Sequence, residues 1–480
     1  MIVFAVGVGR GSEKRYIGKN IIVMDDMDLF VKHGILPQEE VLQYFKDKPP
    51  SYVEKVLQNT NVLFLTLEDV VRAEERIRET EGKKEEWEKK VEIVKDVTGK
   101  STSKGELEDF VKCFNDRYKS LKKILKRRGE LVGSMSISEI PDRNGREMKT
   151  IGIVKDIKKL SNGGKSVEIE DETASISIRC PEKRLAEHIL LDSVIGVIGT
   201  KSRSGTLYAN DILLPDVIVD RSPVRSDEQV LVVFTSDMHI GSKTFLRDKW
   251  KSFIGWINNE AEEVRYLVLA GDNVDGVGIY PNQEKDLEIT NVYEQYEAFA
   301  RELDDLRKDL TIIVAPGNHD AVRPAEPQPA LSKEIGDMFP NNVISVGNPC
   351  FLKICKVPIL MYHGRSMDDL IHTNLNFNHS KPIEMMVEML KVRHLAPMYG
   401  RKTPIAPENK DYMVIDEVPD IFVTGHVHSF GVGRYRNTLL INGSTWQSQT
   451  SYQKMLGFEP NPANIAMVDL RNGNIATKSF

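Results

Sequence analysis

Apolar positions change their spacing three times along this chain, and each change marks a different kind of element. Over about residues 27–77 they recur at helical intervals. Pro37 suits a first helical turn ahead of Val41, Leu42, Tyr44 and Phe45, Ser51 and Thr66 suit N-caps of two further short helices, and Leu67, Val70 and Val71 follow the second of these. Residues 79–105 are rich in lysine and glutamate with scattered apolar residues, which predicts a solvated helix or a flexible linker, the linker being favoured because the periodicity is poor and small polar residues end the stretch. A helical stretch then ends in the basic cluster Lys122, Lys123, Lys126, Arg127 and Arg128. From Met148 to Val217 the period becomes that of short strands, at 150–154, 166–170, 175–178, 194–199 and 208–212, with turns at 162–164 and 171–172 and a helical interval at 182–189. Five such strands suit a small OB-like barrel. Beyond Glu228 the runs 230–235, 267–270, 312–315 and 421–424 are continuously apolar, as strands buried on both faces are, and helices are expected between them at 250–263 and 293–307.

The expected organisation is multidomain: a small α-helical unit over 1–78, a charged linker over 79–105, an OB-like domain over 106–222 and an α/β domain over 223–480. A length of 480 residues agrees with about three domains at ~150 residues each. An apolar content of 40% can fill cores, and no run of ~18 apolar residues predicts a membrane span. Residues 1–10 are apolar but lack a basic leader and a cleavage site, so they do not read as a signal peptide, and Met24 or Met27 offers another start. Four cysteines are too few for a disulfide scaffold and suggest an intracellular chain. Cys350 and Cys355, in Cys-x4-Cys without a second pair, read as reduced thiols at a strand edge, because a zinc site needs four ligands. The net charge of −6 neither announces a nucleic-acid binder nor excludes one, since a single domain can be locally basic. Gly164-Lys165-Ser166 lacks the earlier glycine of a phosphate loop and lies between strands, so a hairpin turn is expected there.

The candidate chemistry lies in five segments that each follow an apolar run: Asp237-Met238-His239, Gly271-Asp272-Asn273, Gly317-Asn318-His319-Asp320, Tyr362-His363-Gly364 and Gly425-His426-Val427-His428. Loops at the carboxyl ends of such strands face one crevice, so the fold would gather all five. Asp237 and His239 are two apart, which in extended chain points both side chains the same way, and His426 and His428 repeat the spacing. Carboxylate, amide oxygen and imidazole suit divalent ions, with Mn²⁺, Mg²⁺, Fe²⁺ and Zn²⁺ all conceivable. An isolated Gly-Asp is usually a turn, yet five of the ten histidines fall in these segments, and chance does not assemble such a series readily. Thr235 and Ser236 have no base beside them and read as strand-end residues.

Together these segments resemble the five-part signature of the calcineurin-like binuclear metallophosphoesterases. The resemblance implies sandwiched β-sheets flanked by helices and two divalent metal ions. Asp237, His239 and His428 would hold one ion, Asn318, His363 and His426 the other, and Asp272 would bridge them. His319 resembles the family's non-ligand histidine that stabilises the transition state or protonates the leaving oxygen, so Asp272 and His319 are the expected catalytic pair.

The extended segments 271–276 and 316–320, Arg393-His394-Leu395-Ala396-Pro397 and Asn442-Gly443-Ser444-Thr445-Trp446-Gln447, with a barrel ahead of the metal domain, resemble the small subunits of archaeal D-family replicative DNA polymerases. That resemblance covers about residues 30–480. It implies a 3′→5′ proofreading exonuclease that acts on DNA 3′ ends beside a large polymerizing subunit, located with the nucleoid in the cytoplasm. A stand-alone phosphodiesterase or repair nuclease of the same superfamily, and a non-catalytic polymerase scaffold, are the other readings. Asp275, Arg365 and Arg393 are expected substrate contacts. Lys391 and Arg401 could touch DNA phosphates or be solvated charge. Trp446, Tyr452 and Phe458 could stack on bases or be packing residues. Met385, Met386 and Met389 at helical spacing suit a core or a partner surface, and His372 and His379 are not expected to be ligands.

Overall fold

The continuous apolar runs form two six-stranded sheets packed face to face. A computed structural model describes residues 29–141, 145–161, 164–182, 187–373, 377–455 and 457–480, apart from the side chains of 79–81, 83–85 and 452. The first sheet runs in the order Val343–Ser345, Thr311–Ala315, Val264–Ala270, Leu231–Thr235, Asn464–Asp469, Ile475–Ser479. Its first four strands are parallel and the last two antiparallel. The second sheet runs Phe430–Tyr435, Thr438–Gly443, Ile421–Thr424, Val357–Met361, Cys350–Ile354, Val91–Lys95.

Alternation along each strand explains why the runs are apolar throughout. Val232, Phe234, Val268 and Ile313 of the first sheet meet Leu352, Ile359, Val423 and Ile441 of the second in a shared core. The alternate residues Val233, Leu267, Leu269, Ile312 and Val314 face outward against the helices Arg247–Asn259 and Val292–Asp304. Leu360, Phe422 and Leu440 likewise meet the helix Pro382–Val392, where Met385, Met386 and Met389 are fully buried. Burial on both faces leaves no polar side of the strand to see. The methionines are core.

Five strands, Glu147–Lys159, Lys165–Glu170, Ser175–Cys180, Val194–Lys201 and Leu207–Leu213, close into a barrel filled by Val154, Val167, Ile169, Ile178, Val197 and Leu207. The first two pair antiparallel as the expected hairpin requires, and residues 162–163 of its turn lie outside the described residues. A Cβ at Gly164 would collide with the Cys180 carbonyl, so that position needs glycine. The helix Leu107–Leu125 lays Tyr118, Leu121 and Leu125 against Ile151 and Val194 of the barrel. Of the helical interval expected at 182–189, residues 183–186 lie outside the described residues.

The chain divides into two compact units, residues 1–83 and 84–480. In the first, the helices Glu39–Phe45 and Pro50–Gln58 and the start of Leu67–Glu88 enclose Phe30, Val41, Phe45, Val56 and Val70. Thr66 caps the last helix as expected: its hydroxyl accepts from Asp69 N, and its own N–H donates to the Asp69 carboxylate. Ser51 does not cap its helix, which starts one residue earlier with Pro50 at the first position, where a missing N–H costs nothing.

The linker expected over 79–105 is replaced by structure. The helix runs to Glu88, and Val91–Lys95 pairs antiparallel with Cys350–Ile354 at the edge of the second sheet. A sheet edge supplies the partner that composition alone cannot reveal. Among the described residues no helix is long and apolar enough to cross a membrane.

Candidate metal centre

Strands Leu231–Thr235, Val264–Ala270 and Thr311–Ala315 of one sheet, and Val357–Met361 and Ile421–Thr424 of the other, end beside one another. Each is followed within a few residues by one of the five segments. The loops are tied together by backbone bonds: Asp237 N donates to Gly271 O (2.9 Å), His239 N to Asp272 O (3.0 Å) and Gly425 N to His363 O (2.8 Å). The backbone is packed too closely for side chains at glycines of these segments. A Cβ on Gly317 would strike the Asp272 carboxylate, and one on Gly425 would strike the Asp237 carboxylate.

The paired side chains converge for a reason other than the one expected from spacing. Asp237 and His239 are not in extended chain; both have left-handed φ (54° and 51°), as do Asp272 (50°), His426 (69°) and His428 (52°). L-residues pay conformational energy in this region, and non-glycine examples gather where function holds them. The tight left-handed turns aim each side chain inward.

Among the described residues three groups of side chains able to ligate a metal result: Asp237 with His239 and His428; Asp272 with His363 and His426; and His239 with Asp272 and His319, the candidate ligand atoms within each lying inside 4.8 Å of one another. Asp272 Oδ2 stands between the first two, 3.2 Å from His363 Nε2 and 3.8 Å from His239 Nε2. His428 Nε2 is 3.0 Å from His239 Nε2 and 3.4 Å from Asp237 Oδ1. Asn318 Oδ1 is 3.1 Å from His363 Nε2. All seven expected ligands and His319 therefore meet at one rim.

The hydrogen bonds settle where the imidazole protons sit. His363 Nδ1 faces the Ala270 carbonyl at 3.0 Å, which can only accept, so Nδ1 carries the proton of the neutral ring. Its Nε2 lone pair is thus turned on the Asn318 amide oxygen and the Asp272 carboxylate, two further acceptors. His239 repeats this, with Nδ1 donating to Asp275 Oδ1 at 2.9 Å and Nε2 turned toward Asp237, Asp272 and His428. Acceptors crowded together in a buried space repel unless a cation or a proton lies among them.

Proton affinities register that need. Burial resists the charging of His239 and His363, but the carboxylates around them, Asp275 foremost for the first and Asp272 for the second, raise them to about 9 and about 10. Burial also opposes ionisation of Asp272, yet the His363, His319 and His239 imidazoles hold it well below the usual carboxylate range. In the absence of a metal, protons collect where positive charge is wanted. The donor set of carboxylate, amide oxygen and imidazole fits borderline or hard divalent cations.

Around this shell the loops are held by groups that sequence reasoning left unassigned. Asp320 accepts from Gly317 N (2.8 Å), Asn273 N (3.1 Å) and the Tyr296 hydroxyl (2.9 Å), which fixes the Asn318–His319 turn, and burial pushes its carboxyl up to about 6. His319 Nδ1 donates to Asp275 O at 2.7 Å, its N–H donates to Asp272 Oδ1 at 2.8 Å, and its Nε2 stays 4.0 Å from Asp272 Oδ2 on the partly open side. Asp368 places Oδ1 3.6 Å from His426 Nε2. The acidic pair Asp368-Asp369 just after His363 was the available signal for it.

The expected substrate contacts do not fare equally. Asp275 is 1% exposed and occupied by His239 Nδ1, Gln283 and Gln447, so it buttresses a histidine and does not meet substrate. Arg393 is 3% exposed, with its guanidinium donating to the carbonyls of Ile415, Asp416 and Asp216; it closes a helix end and is not presented to DNA. Arg365 is part-exposed and donates to the Pro324 carbonyl at 2.7 Å. Trp446 is fully buried against Trp250 and donates to Thr235, so it is core. Phe458 is half-buried with its ring 5.1 Å from that of His379, and the Tyr452 side chain lies outside the described residues. His372 is bonded to the Asp368 carbonyl, away from the converging groups.

Residues 232–432 match the family model of the DNA polymerase alpha/epsilon B subunits. The chain is 43% identical over 389 residues to the DNA polymerase II small subunit of Archaeoglobus fulgidus, with 78% of each chain covered. It is 42% identical over 392 residues to that of Methanocaldococcus jannaschii, with 78% of this chain and 66% of that one covered. Among solved structures, an archaeal phosphodiesterase is 14% identical with a TM-score of 0.28, covering 52% of this chain and 99% of that one.

Proposed function

The chain belongs to the family of DNA polymerase II small subunits, and from that premise we propose that it is a metal-dependent 3′→5′ exonuclease that works beside a large catalytic polymerase subunit. The observation that carries this reading is the convergence of His363 Nε2, Asn318 Oδ1 and Asp272 Oδ2, which turns the lone pair of the neutral imidazole on two acceptor oxygens, so that a cation or a proton must lie among them. Asp237, His239, His428 and Asp272 would hold one divalent ion, and Asp272, Asn318, His363 and His426 a second, with Mn²⁺ or Mg²⁺ the first candidates and Fe²⁺ or Zn²⁺ the alternatives for a set of three oxygen and four imidazole ligands. Two such ions lower the pKa of a water, align it with the phosphorus and neutralise charge on the phosphoryl oxygens.

The protein's own groups account for the rest. Asp275 and the Ala270 carbonyl fix the proton-bearing edges of His239 and His363, so their Nε2 lone pairs stay turned inward. His319 is pinned through Nδ1, and burial holds it below the usual imidazole range, which leaves Nε2 free to take up a proton and pass it on. In hydrolysis of a terminal phosphodiester, water adds its oxygen to phosphorus and gives up one proton to solvent, the P–O3′ bond breaks, and the departing 3′ oxygen of the shortened strand takes a proton that His319 Nε2 has drawn from solvent. Nothing in this chemistry reads base sequence, which suits removal of any misinserted nucleotide. The barrel, OB-like in its five-strand closure, and the part-exposed Arg365 are candidate contacts for the strand or the large subunit.

The test is nucleotide release from paired and mispaired 3′ ends, with and without Mn²⁺, by the chain in complex with its large subunit. Metal-dependent release that is faster from mispaired ends, and lost in His319→Ala, is the expected result. Release that persists in His319→Ala, or that does not depend on metal, contradicts the proposal.

A further inference from the structure

His426 is gripped differently from the other three imidazoles of the centre. His239 and His363 are held by donating through Nδ1 to Asp275 and the Ala270 carbonyl, and His428 by accepting at Nδ1 from the Gln453 amide. His426 is instead approached at Nε2, where Asp368 Oδ1 lies 3.6 Å away. Asp368 sits in the first turn of the helix Met367–Thr373, which leaves directly from the loop that carries His363. The same loop thus supplies one candidate ligand and the partner of another. Asp368 is not among the side chains that converge on Asp272, so it is not itself placed to hold an ion there.

A carboxylate can only accept, so its place 3.6 Å from His426 Nε2 favours the proton of a neutral ring on Nε2 and the lone pair on Nδ1. We infer that Asp368 is a positioning residue for the metal centre: its charge facing Nε2 favours that tautomer and so presents Nδ1 to the half of the site built by Asp272, Asn318 and His363. His379 contributes as well, its Nε2 3.6 Å from the same Asp368 oxygen and its ring against Phe458. That carboxylate oxygen therefore faces two imidazoles. Partners of this kind orient the ring and raise the basicity of the ligating nitrogen, and their loss weakens metal binding ~10–100-fold.

This inference rests on the metal-centre reading above, and the experiment separates the two. Mn²⁺ is titrated calorimetrically into the full-length chain and into Asp368→Asn and Asp368→Glu, with circular dichroism to follow folding. The wild-type chain is expected to bind two ions. Asp368→Asn should weaken one site about 10–100-fold and spare the other, and nuclease activity lost at low Mn²⁺ should return as Mn²⁺ is raised. Asp368→Glu, which keeps the carboxylate, should recover most of the affinity and covers the case in which the amide variant does not fold. Two undisturbed sites in both variants, or equal weakening of both sites, overturn the role of Asp368 and leave the metal centre standing. A wild-type chain that binds no Mn²⁺ overturns the metal centre and the inference together.

Discussion

Two buried polar clusters in residues 84–480 are built from similar side chains and behave in opposite ways. One joins Arg117, His394 and Asp411. Arg117 Nε donates to Asp411 Oδ2 at 2.8 Å and Nη1 to the Pro397 carbonyl at 2.8 Å; His394 Nε2 donates to Asp411 at 3.0 Å, and its Nδ1 accepts from Ala396 N at 3.1 Å. Every acceptor there has a donor, and the charges of Arg117 and Asp411 cancel. The other cluster, around Asp272, turns acceptor upon acceptor. A cluster that satisfies itself is complete without a ligand, whereas one that leaves lone pairs facing each other requires a cation. Histidine and aspartate in a buried group do not by themselves mark a site; the balance of donors and acceptors does.

The comparison can be broken first at its functional end. Asp272→Asn should reduce Mn²⁺-dependent 3′ nucleotide release to background, and His319→Ala should lower it on the order of 10²–10⁴-fold, the usual range for a proton-transfer group, with the circular dichroism spectrum unchanged in both. A rate within twofold of wild type in either variant would remove that residue from the chemistry. At the structural end, Asp411→Ala leaves the Arg117 charge buried and alone, which should cost about 3–5 kcal/mol in denaturant unfolding. The surviving folded protein should keep its nuclease rate.

Arg393→Ala sharpens the distinction. It removes a buried donor from three carbonyls, so stability should fall about 1–3 kcal/mol, while the dependence of DNA affinity on salt stays as it was. A shallower salt dependence would restore Arg393 as a phosphate contact.

The smallest effect is in the response to acid. Burial, with Arg117 beside it, lowers His394 to about 4 from the ordinary 6.5. A group lowered in the folded state stabilises fully above its unfolded value and loses that contribution as pH falls through its folded value. Stability should therefore decline between about pH 6.5 and 4, with Asp411, also held low by its partners, losing its contribution below that. His394→Gln should flatten the slope between pH 6.5 and 4; an unchanged slope would show that another group is responsible.

Much of this was legible before any coordinates. Asp237, Asp272, Asn318, His363 and His426 each follow a run apolar on both strand faces, and such strands place their carboxyl ends together, so the gathering of the ligands followed from the pattern. What did not follow depends on contacts remote in sequence. The left-handed turns at Asp237, His239, His426 and His428 arise from backbone bonds between loops. The strand Val91–Lys95 exists because Cys350–Ile354 offers it an edge, although its own sequence reads as charged linker. Arg393 looks like a surface cation until the carbonyls of Ile415 and Asp416 enclose it. Asp368 has no local signature beyond a pair of acidic residues.

The central claim is that the crowded acceptors around Asp272 receive metal ions, and anomalous diffraction from crystals soaked in Mn²⁺ tests it most directly. The account predicts two strong peaks, both within bonding distance of Asp272, one also contacting Asp237, His239 and His428 and the other Asn318, His363 and His426. Crystals that show no peak there at millimolar Mn²⁺, or that place Mn²⁺ only elsewhere on the chain, would contradict it.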